Sequence, residues 1–400
     1  MQKKQMVSRL RVVMGTQFPR DTERIQGGVQ GVASCLAEAI ADRGDVELHV
    51  VSCPPRLLKR ETETRNGYTI HWVPMGRLPV GIAGLTSAAW AVHGVYRWLA
   101  PHVIHAQGTW TYSVRKLAGT PLLLTIHGVE ALEKSVGSQL QYAGALGAYR
   151  RLVELRTLKI SLRNATGLVS ISGPYVPSLI SEIAALPGRV FNIDNPVLPT
   201  FWAVKSSEAH APPVILCVGS VIPRKNALAL VQALPLIHKM APCARIEIAG
   251  SILDRTYYSN VLSLGRALGV SRFVTFLGQL DQPALLLAYD RATVVAHAAL
   301  QETAPLAIAQ AMAAERPVVA MNVGGVSSIV DDAVTGYITD PADISGFAER
   351  IASVLIDRVL GRQLGVAGRK VASTRFKPSV VAQSTVDAYL ELGGSVKPGY

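Results

Sequence analysis

Cysteine is scarce. The 400 residues hold four, Cys35, Cys53, Cys217 and Cys243, and no two form a CxxC pair. Three lie in apolar runs, so buried free thiols in a reducing compartment are expected, not a disulfide framework. Long apolar runs are missing too. None reaches the ~20 residues of a membrane-spanning helix. The start, MQKKQMVSRLRVV, pairs positive charge with a short strand-like run and no cleavage-like site. It does not read as a leader, and the chain is expected in the cytoplasm. There is no zinc-ligand spacing, no RNA-binding aromatic signature and no long Lys/Arg run, which argues against nucleic acid as a partner. Charged residues make up only 17% against 49% apolar. That balance excludes a disordered chain and suits one with a large interior.

What the chain does have is alternation. RLRVVMGT (9–16), VELHVVSC (46–53), TIHWVP (69–74), HVIHAQG (102–108), PLLLTIHG (121–128) and GLVSIS (167–172) read as strands. Between the first two, Val29, Val32, Leu36 and Ile40 fall on one helical face. The second half repeats the scheme with VILCVGS (214–220), RIEIAGS (245–251), FVTFLG (273–278), TVVAHAA (293–299) and PVVAMN (317–322). Strands alternating with helices predict an α/β fold of two Rossmann-like parallel-sheet domains. The length also exceeds what one core usually holds. The expected division is 1–199, a linker at 200–213, 214–377, and a terminal helix and tail at 378–400.

Net charge is +12 and unevenly placed. Residues 1–200 carry 22 Lys+Arg against 13 Asp+Glu, and residues 201–400 carry 18 against 15. A basic first half suits an anionic partner, either a phosphorylated substrate or a membrane surface. The basic stretch from Tyr142 to Asn164 (Arg150, Arg151, Arg156, Lys159, Arg163) is either a membrane-facing helix or an ordinary solvated face.

Ligands of open α/β sheets bind beyond the carboxyl ends of the strands, so the loops there are where chemistry is expected. Gly27 and Gly28 follow the first strand and open a helix. They let backbone approach an anion or serve a turn needing positive φ, and their spacing is not GxGxxG. Lys225 with Arg224, in GSVIPRKN, puts cations at a helix start, where the helix dipole disfavours them. A diphosphate would explain that placement. Glu302 stands just before Pro305 and a nearly uncharged helical run, and Gln310 lies inside that run. A buried amide needs partners, in the protein or in a ligand. His105 and His127 end apolar strands, where each can donate to a substrate or bond within the protein. His297 ends another strand just before Glu302. There is no Asp-x-Asp run, and Asp331-Asp332 reads as a surface turn, so no metal ligands are assigned.

With these residues in place, the chain resembles the retaining glycosyltransferase family 4 of the two-domain GT-B fold. The likeness runs through QGGVQGVASCLAEAIADRG, VIHAQG, TIHG, VSIS, NPV (195–197), VGSVIPRKN and FLGQLDQPALLLAYDRA. It continues through QETAPLAIAQAMAAERPVVAMNVGGVSSIVDDAVTGYITDPAD. The resemblance implies two domains facing a cleft, with the C-terminal helix crossing back to the first. It implies transfer of a sugar from a UDP- or GDP-sugar, with retention and without a cofactor, to a saccharide or lipid-linked acceptor held by the first domain. By position, Gly27 and Gly28 lie near the donor diphosphate, and Lys225 binds it. His127 lies near the transferred sugar, Glu302 contacts that sugar, and Gln310 holds the ribose. Three positions depart from the pattern. Gln310 replaces a glutamate, Ser220 replaces the arginine that commonly accompanies the lysine, and Thr303-Ala304-Pro305 replaces a glycine-rich turn. Arg224 and the backbone N–H groups of Ala304 and Leu306 are the candidates to compensate. The alternatives are a donor-impaired relative that binds saccharide or a partner enzyme, and a nucleotide-sugar epimerase. Peripheral contact at the inner face of a membrane is the expected limit of membrane association.

Overall fold

The computed structural model describes residues 9–21, 27–76, 86–109, 111–128, 131–132, 144–204 and 212–393. Residues 205–211 of the 200–213 linker, the 22–26 part of the loop after the first strand, residues 142–143 of the basic stretch and the tail beyond 393 lie outside them. The chain forms two compact units. The first contains the described residues up to Leu132, then Gly144–Pro196 and the segment from Pro378; the second contains Val197–Lys377.

The strands of the first unit are β1 (Leu10–Gly15), β2 (Val46–Ser52), β3 (Glu61–Arg65), β4 (Tyr68–Trp72), β5 (Val103–Gln107), β6 (Leu122–Thr125), β7 (Gly167–Ser170) and β8 (Arg189–Asn192). They form one sheet in the order β3-β4-β2-β1-β5-β6-β7-β8. Every pairing is parallel except β3 with β4. The helices in sequence are α1 (Gly28–Ala41), α2 (Ser87–Leu99), α3 (Gly144–Asn164) and α4 (Tyr175–Ser181). Strands β5, β6 and β7 are buried along their whole length, as strands covered on both faces must be.

The second unit has β9 (Val214–Val218), β10 (Arg245–Ala249), β11 (Val274–Gly278), β12 (Val294–His297), β13 (Val318–Met321) and β14 (Tyr337–Thr339). They are all parallel, in the order β11-β10-β9-β12-β13-β14. The helices are α5 (Ala227–His238), α6 (Arg255–Ala267), α7 (Gln282–Arg291), α8 (Leu306–Ala313), α9 (Ile344–Ile356) and α10 (Arg358–Arg375). Alternate strand residues enter opposite cores. Ile215, Cys217, Val294 and Ala296 join one cluster, while Leu216, Val295, Val318 and Ala320 join the other with α8. The period-2 geometry of a strand dictates this split.

Three strands were not expected from the sequence, β3, β8 and β14, and all three are sheet edges. The cysteine expectation agrees with the structure: all four are free, and Cys35, Cys53 and Cys217 are buried. Burial pushes the Cys35 and Cys53 thiols up to about 12, which leaves them inert.

The last helix, α11 (Pro378–Gly393), belongs to the first unit and packs on α1 and β5. Its anchor is polar. Tyr389 Oη lies 2.7 Å from His105 Nδ1, and the other ring nitrogen of His105 lies 2.7 Å from Thr125 Oγ1. His105 is therefore an interior link, with both nitrogens engaged by the protein. Burial, then the neighbouring His127, lowers its pKa to about 3. Tyr389→Phe leaves one buried ring nitrogen without a partner. It is expected to cost about 1–3 kcal/mol of stability, read by urea denaturation; an unchanged midpoint would count against the link.

Candidate functional site

The second sheet has the strand order of a doubly wound nucleotide-binding fold, in which the order reverses between the first and fourth strands. Here that crevice lies between β9 and β12. The two strands pair only through Val294↔Ile215 and Val295↔Leu216, so their carboxyl ends leave each other. The loop after β9 carries Arg224 and Lys225, and the loop after β12 carries Glu302.

The two loops are tied together. Leu300 N donates to Arg224 O at 2.8 Å, and Arg224 Nη1 donates to Gln301 O at 3.4 Å. Lys225 Nζ is paired with Glu302 Oε1. Glu302 is buried, and its backbone carbonyl accepts from Gly325 N at 3.1 Å. Burial alone would raise its carboxyl. The Lys225 ammonium, with His297 beside it, outweighs burial and holds the group well below the usual carboxylate range. It is therefore an anion near neutral pH.

Glycine makes the Lys225 approach possible. A Cβ on Gly219 would lie 3.2 Å from Lys225 Cδ, so the lysine stem lies across a position without a side chain. A Cβ on Gly250 would lie 2.0 Å from the carbonyl oxygen of Gly219. Strand β10 thus supports the lysine loop by backbone against backbone.

Capping separates two classes of helix. Asp254, Asp281, Asp343 and Asp357 accept from first-turn N–H groups of α6, α7, α9 and α10. The helices that follow β1 and β12 begin at Gly27 and Pro305 with no side-chain cap, as do α2 and α4, while the start of α5 after β9 is closed by the Tyr257 hydroxyl, which accepts from Leu228 N at 3.1 Å. Uncapped helix starts keep N–H groups available to an anion. Gly27 has φ 84°, the turn conformation that favours glycine, and Gly28 is exposed at the helix start. Ala304 and Leu306 flank Pro305 and are partly buried.

Gln310 is buried on α8, with its Oε1 3.1 Å from the hydroxyl of fully buried Tyr289, which also lies 3.1 Å from Ala307 O. The protein therefore supplies one partner for this amide. Ser220, partly buried, stands two residues after β9.

In the first unit, His127 follows β6. Its Nε2 lies 3.3 Å from Gln107 Oε1, and Gln107 Nε2 donates to Met14 Sδ at 3.5 Å. Burial lowers the His127 pKa to about 4, so the ring is neutral near pH 7. Gln107 was not singled out in the sequence; a second polar residue, after His105, at the end of a buried strand was its signal. A small hollow beside His127 is lined by Gln107, His105, Thr125, Asp194 and Thr385.

The glycosyl transferases group 1 model matches residues 200–371, and the glycosyl transferase 4-like domain model matches residues 27–185. The chain is a GT-B glycosyltransferase of the family 4 type. The first match holds Lys225, Glu302 and Gln310; the second holds Gly27, Gly28 and His127. Glycogen synthase of Mycobacterium tuberculosis is 28% identical over 74% of this chain and 70% of its own length. Sucrose-phosphate synthase of Thermosynechococcus elongatus shares the fold with a TM-score of 0.76 and 21% identity, over 96% of this chain and 99% of that one. Anabaena HepE, solved in complex with UDP-glucose, shares it with a TM-score of 0.66 and 17% identity, over 96% of this chain and 100% of that one. Among the described residues of this glycosyltransferase, no helix is long and apolar enough to cross a membrane.

Gly250→Ala is expected to force the Gly219 carbonyl away and to cost about 1–3 kcal/mol, as overpacking does. Thermal denaturation reads it; a melting temperature equal to wild type would mean that the loop yields freely.

Proposed function

We propose that this glycosyltransferase moves a sugar from a UDP- or GDP-sugar to a saccharide or lipid-linked acceptor with retention of configuration. The observation that carries the reading is the Lys225–Glu302 pair, its carboxylate buried and its ammonium partly exposed, at the point where the strand order reverses. Glycosyl transfer builds negative charge on the departing diphosphate and positive charge on the sugar ring. An ammonium beside a permanent carboxylate, near uncapped helix starts, meets both demands without side-chain rearrangement at the moment of reaction. Lys225, with Arg224 beside it, neutralises the diphosphate together with the N–H groups at Ala304 and Leu306. This assigns the charge work to the protein, with no metal and no cofactor.

A carboxylate held this far below its ordinary pKa is a weak base and a weak nucleophile. Glu302 therefore orients sugar hydroxyls and stabilises the ring cation. The acceptor attacks from the face the diphosphate leaves, and the leaving phosphate takes the acceptor proton. His127, neutral and bonded to Gln107, meets a sugar hydroxyl. Gln310 accepts from the ribose with the lone pair that Tyr289 leaves. One observation favours a second reading, a donor-impaired relative: both Lys225 and Gln310 already have partners inside the protein. One titration separates the two. UDP-glucose and GDP-mannose are added to wild type, Lys225→Ala and Arg224→Ala under calorimetry. Lys225→Ala is expected to weaken binding by about tenfold or more, the loss of one charge-assisted contact, and more than Arg224→Ala. Absence of binding to wild type would support the impaired relative, and the reverse ranking would move the phosphate anchor to Arg224.

Helix α3 supports peripheral membrane contact. Leu146, Tyr149, Leu152 and Ile160 are exposed among Arg150, Arg151, Arg156, Lys159 and Arg163. Apolar side chains within a cationic field suit an anionic bilayer surface. Flotation with phosphatidylglycerol vesicles is expected to carry wild type and to lose Leu146→Glu/Tyr149→Glu. Equal flotation of the two proteins would assign the face to solvent.

A further inference from the structure

His297 is the polar group near the site that the proposed chemistry does not use. It ends β12, is 3% exposed, and its Nε2 has no hydrogen-bond partner. Glu302 Oε1, the oxygen that Lys225 also holds, lies 3.3 Å away, near enough to attract the ring but without good hydrogen-bond geometry. A buried ring nitrogen so poorly satisfied is costly to keep, and such costs concentrate where a site changes partners.

The change follows from the electrostatics. If Lys225 turns toward a donor diphosphate, Glu302 loses the cation that compensates its burial. A buried carboxylate left alone is strongly disfavoured. The hydrogen-bond donor already within a small adjustment of its oxygen is His297 Nε2–H. A neutral imidazole suffices, so no proton is gained or lost. Lys225 is the more mobile partner: its stem crosses the bare backbone of Gly219, and its side chain is 22% exposed against 8% for Glu302.

We propose that His297 is a positioning residue that takes over Glu302 when Lys225 engages the donor diphosphate, so that the carboxylate stays fixed under the sugar. This rests on the donor-site reading of Lys225 and Glu302. In the ligand-free protein His297 lowers stability slightly; in the donor complex it holds the acid in place.

The test is calorimetric titration of UDP-glucose and GDP-mannose into wild type, His297→Leu, His297→Gln and Lys225→Ala, with ligand-free melting temperatures measured alongside. His297→Leu is expected to weaken the probe that wild type binds by about tenfold, the loss of one hydrogen bond to a charged group. Its ligand-free melting temperature should equal or exceed that of wild type, because an unpaired buried nitrogen has been removed. His297→Gln restores an N–H donor and should recover most of the affinity. A merely structural histidine would give the opposite pattern, a lower melting temperature with unchanged affinity. Unchanged affinity in His297→Leu overturns the proposal, as does a loss in His297→Gln equal to that in the leucine variant. If wild type binds neither probe, the donor reading itself fails and the proposal falls with it; that result is recognised before any His297 variant is compared.

Discussion

The interaction on which the second unit's site depends is the attraction between one ammonium and one carboxylate, 77 residues apart in sequence. Neither loop brings its charge there alone. The lysine loop follows β9 and the glutamate loop follows β12, and only the reversal of strand order between them makes those ends neighbours. The sheet then constrains chemistry directly. Two strands that stop pairing at Leu216 and Val295 open a crevice, and the backbone of β10 presses the lysine loop from the far side through Gly250. The pair costs desolvation, which burial exacts from any ion. Backbone bonds from Leu300 N to Arg224 O and from Gly325 N to Glu302 O hold the two loops together around it.

Much of this could be read from the amino acids, for a physical reason. Central strands such as β9 and β12 are buried on both faces, so their residues are continuously apolar and stand out. The edge strands escaped. ETETR of β3 is mostly polar because one edge faces water, RVFN of β8 is largely exposed, and β14 has only three residues. Nothing in their composition separates such segments from loops; only pairing with a neighbour defines them. Lys225, Glu302, Gln310 and His127 were legible because each is a polar residue where the surrounding pattern calls for an apolar or uncharged one. Their partners were not. Tyr289 for Gln310, Gln107 for His127 and Tyr389 for His105 are ordinary residues whose significance comes from distance alone. The histidine pair also shows the limit of position as a guide. His105 and His127 both end apolar strands, yet His105 spends both nitrogens inside the core.

Helix capping adds a second layer to the same logic. Four helices of the second unit start on aspartate, which closes their first turn with a negative charge. An aspartate at Gly27, Asn226 or Pro305 would do the same, and would repel any phosphate arriving there. Leaving Gly27 and Pro305 bare gives up a stabilising cap at each, whereas the Tyr257 hydroxyl closes the α5 start without adding a charge. It fits the expectation that function is built from locally suboptimal choices.

The return of α11 to the first unit has a consequence for biogenesis. A ribosome makes the N-terminal sheet first, but the helix that seals it, and the hydroxyl that saturates His105, are translated near the end. The first unit therefore waits for the second to be synthesised before its own interior closes. A nascent chain not yet synthesised through α11, or one clipped before it, exposes the flank of α1 and β5, so quality-control proteases and chaperones should find the damage in the sheet that was made first.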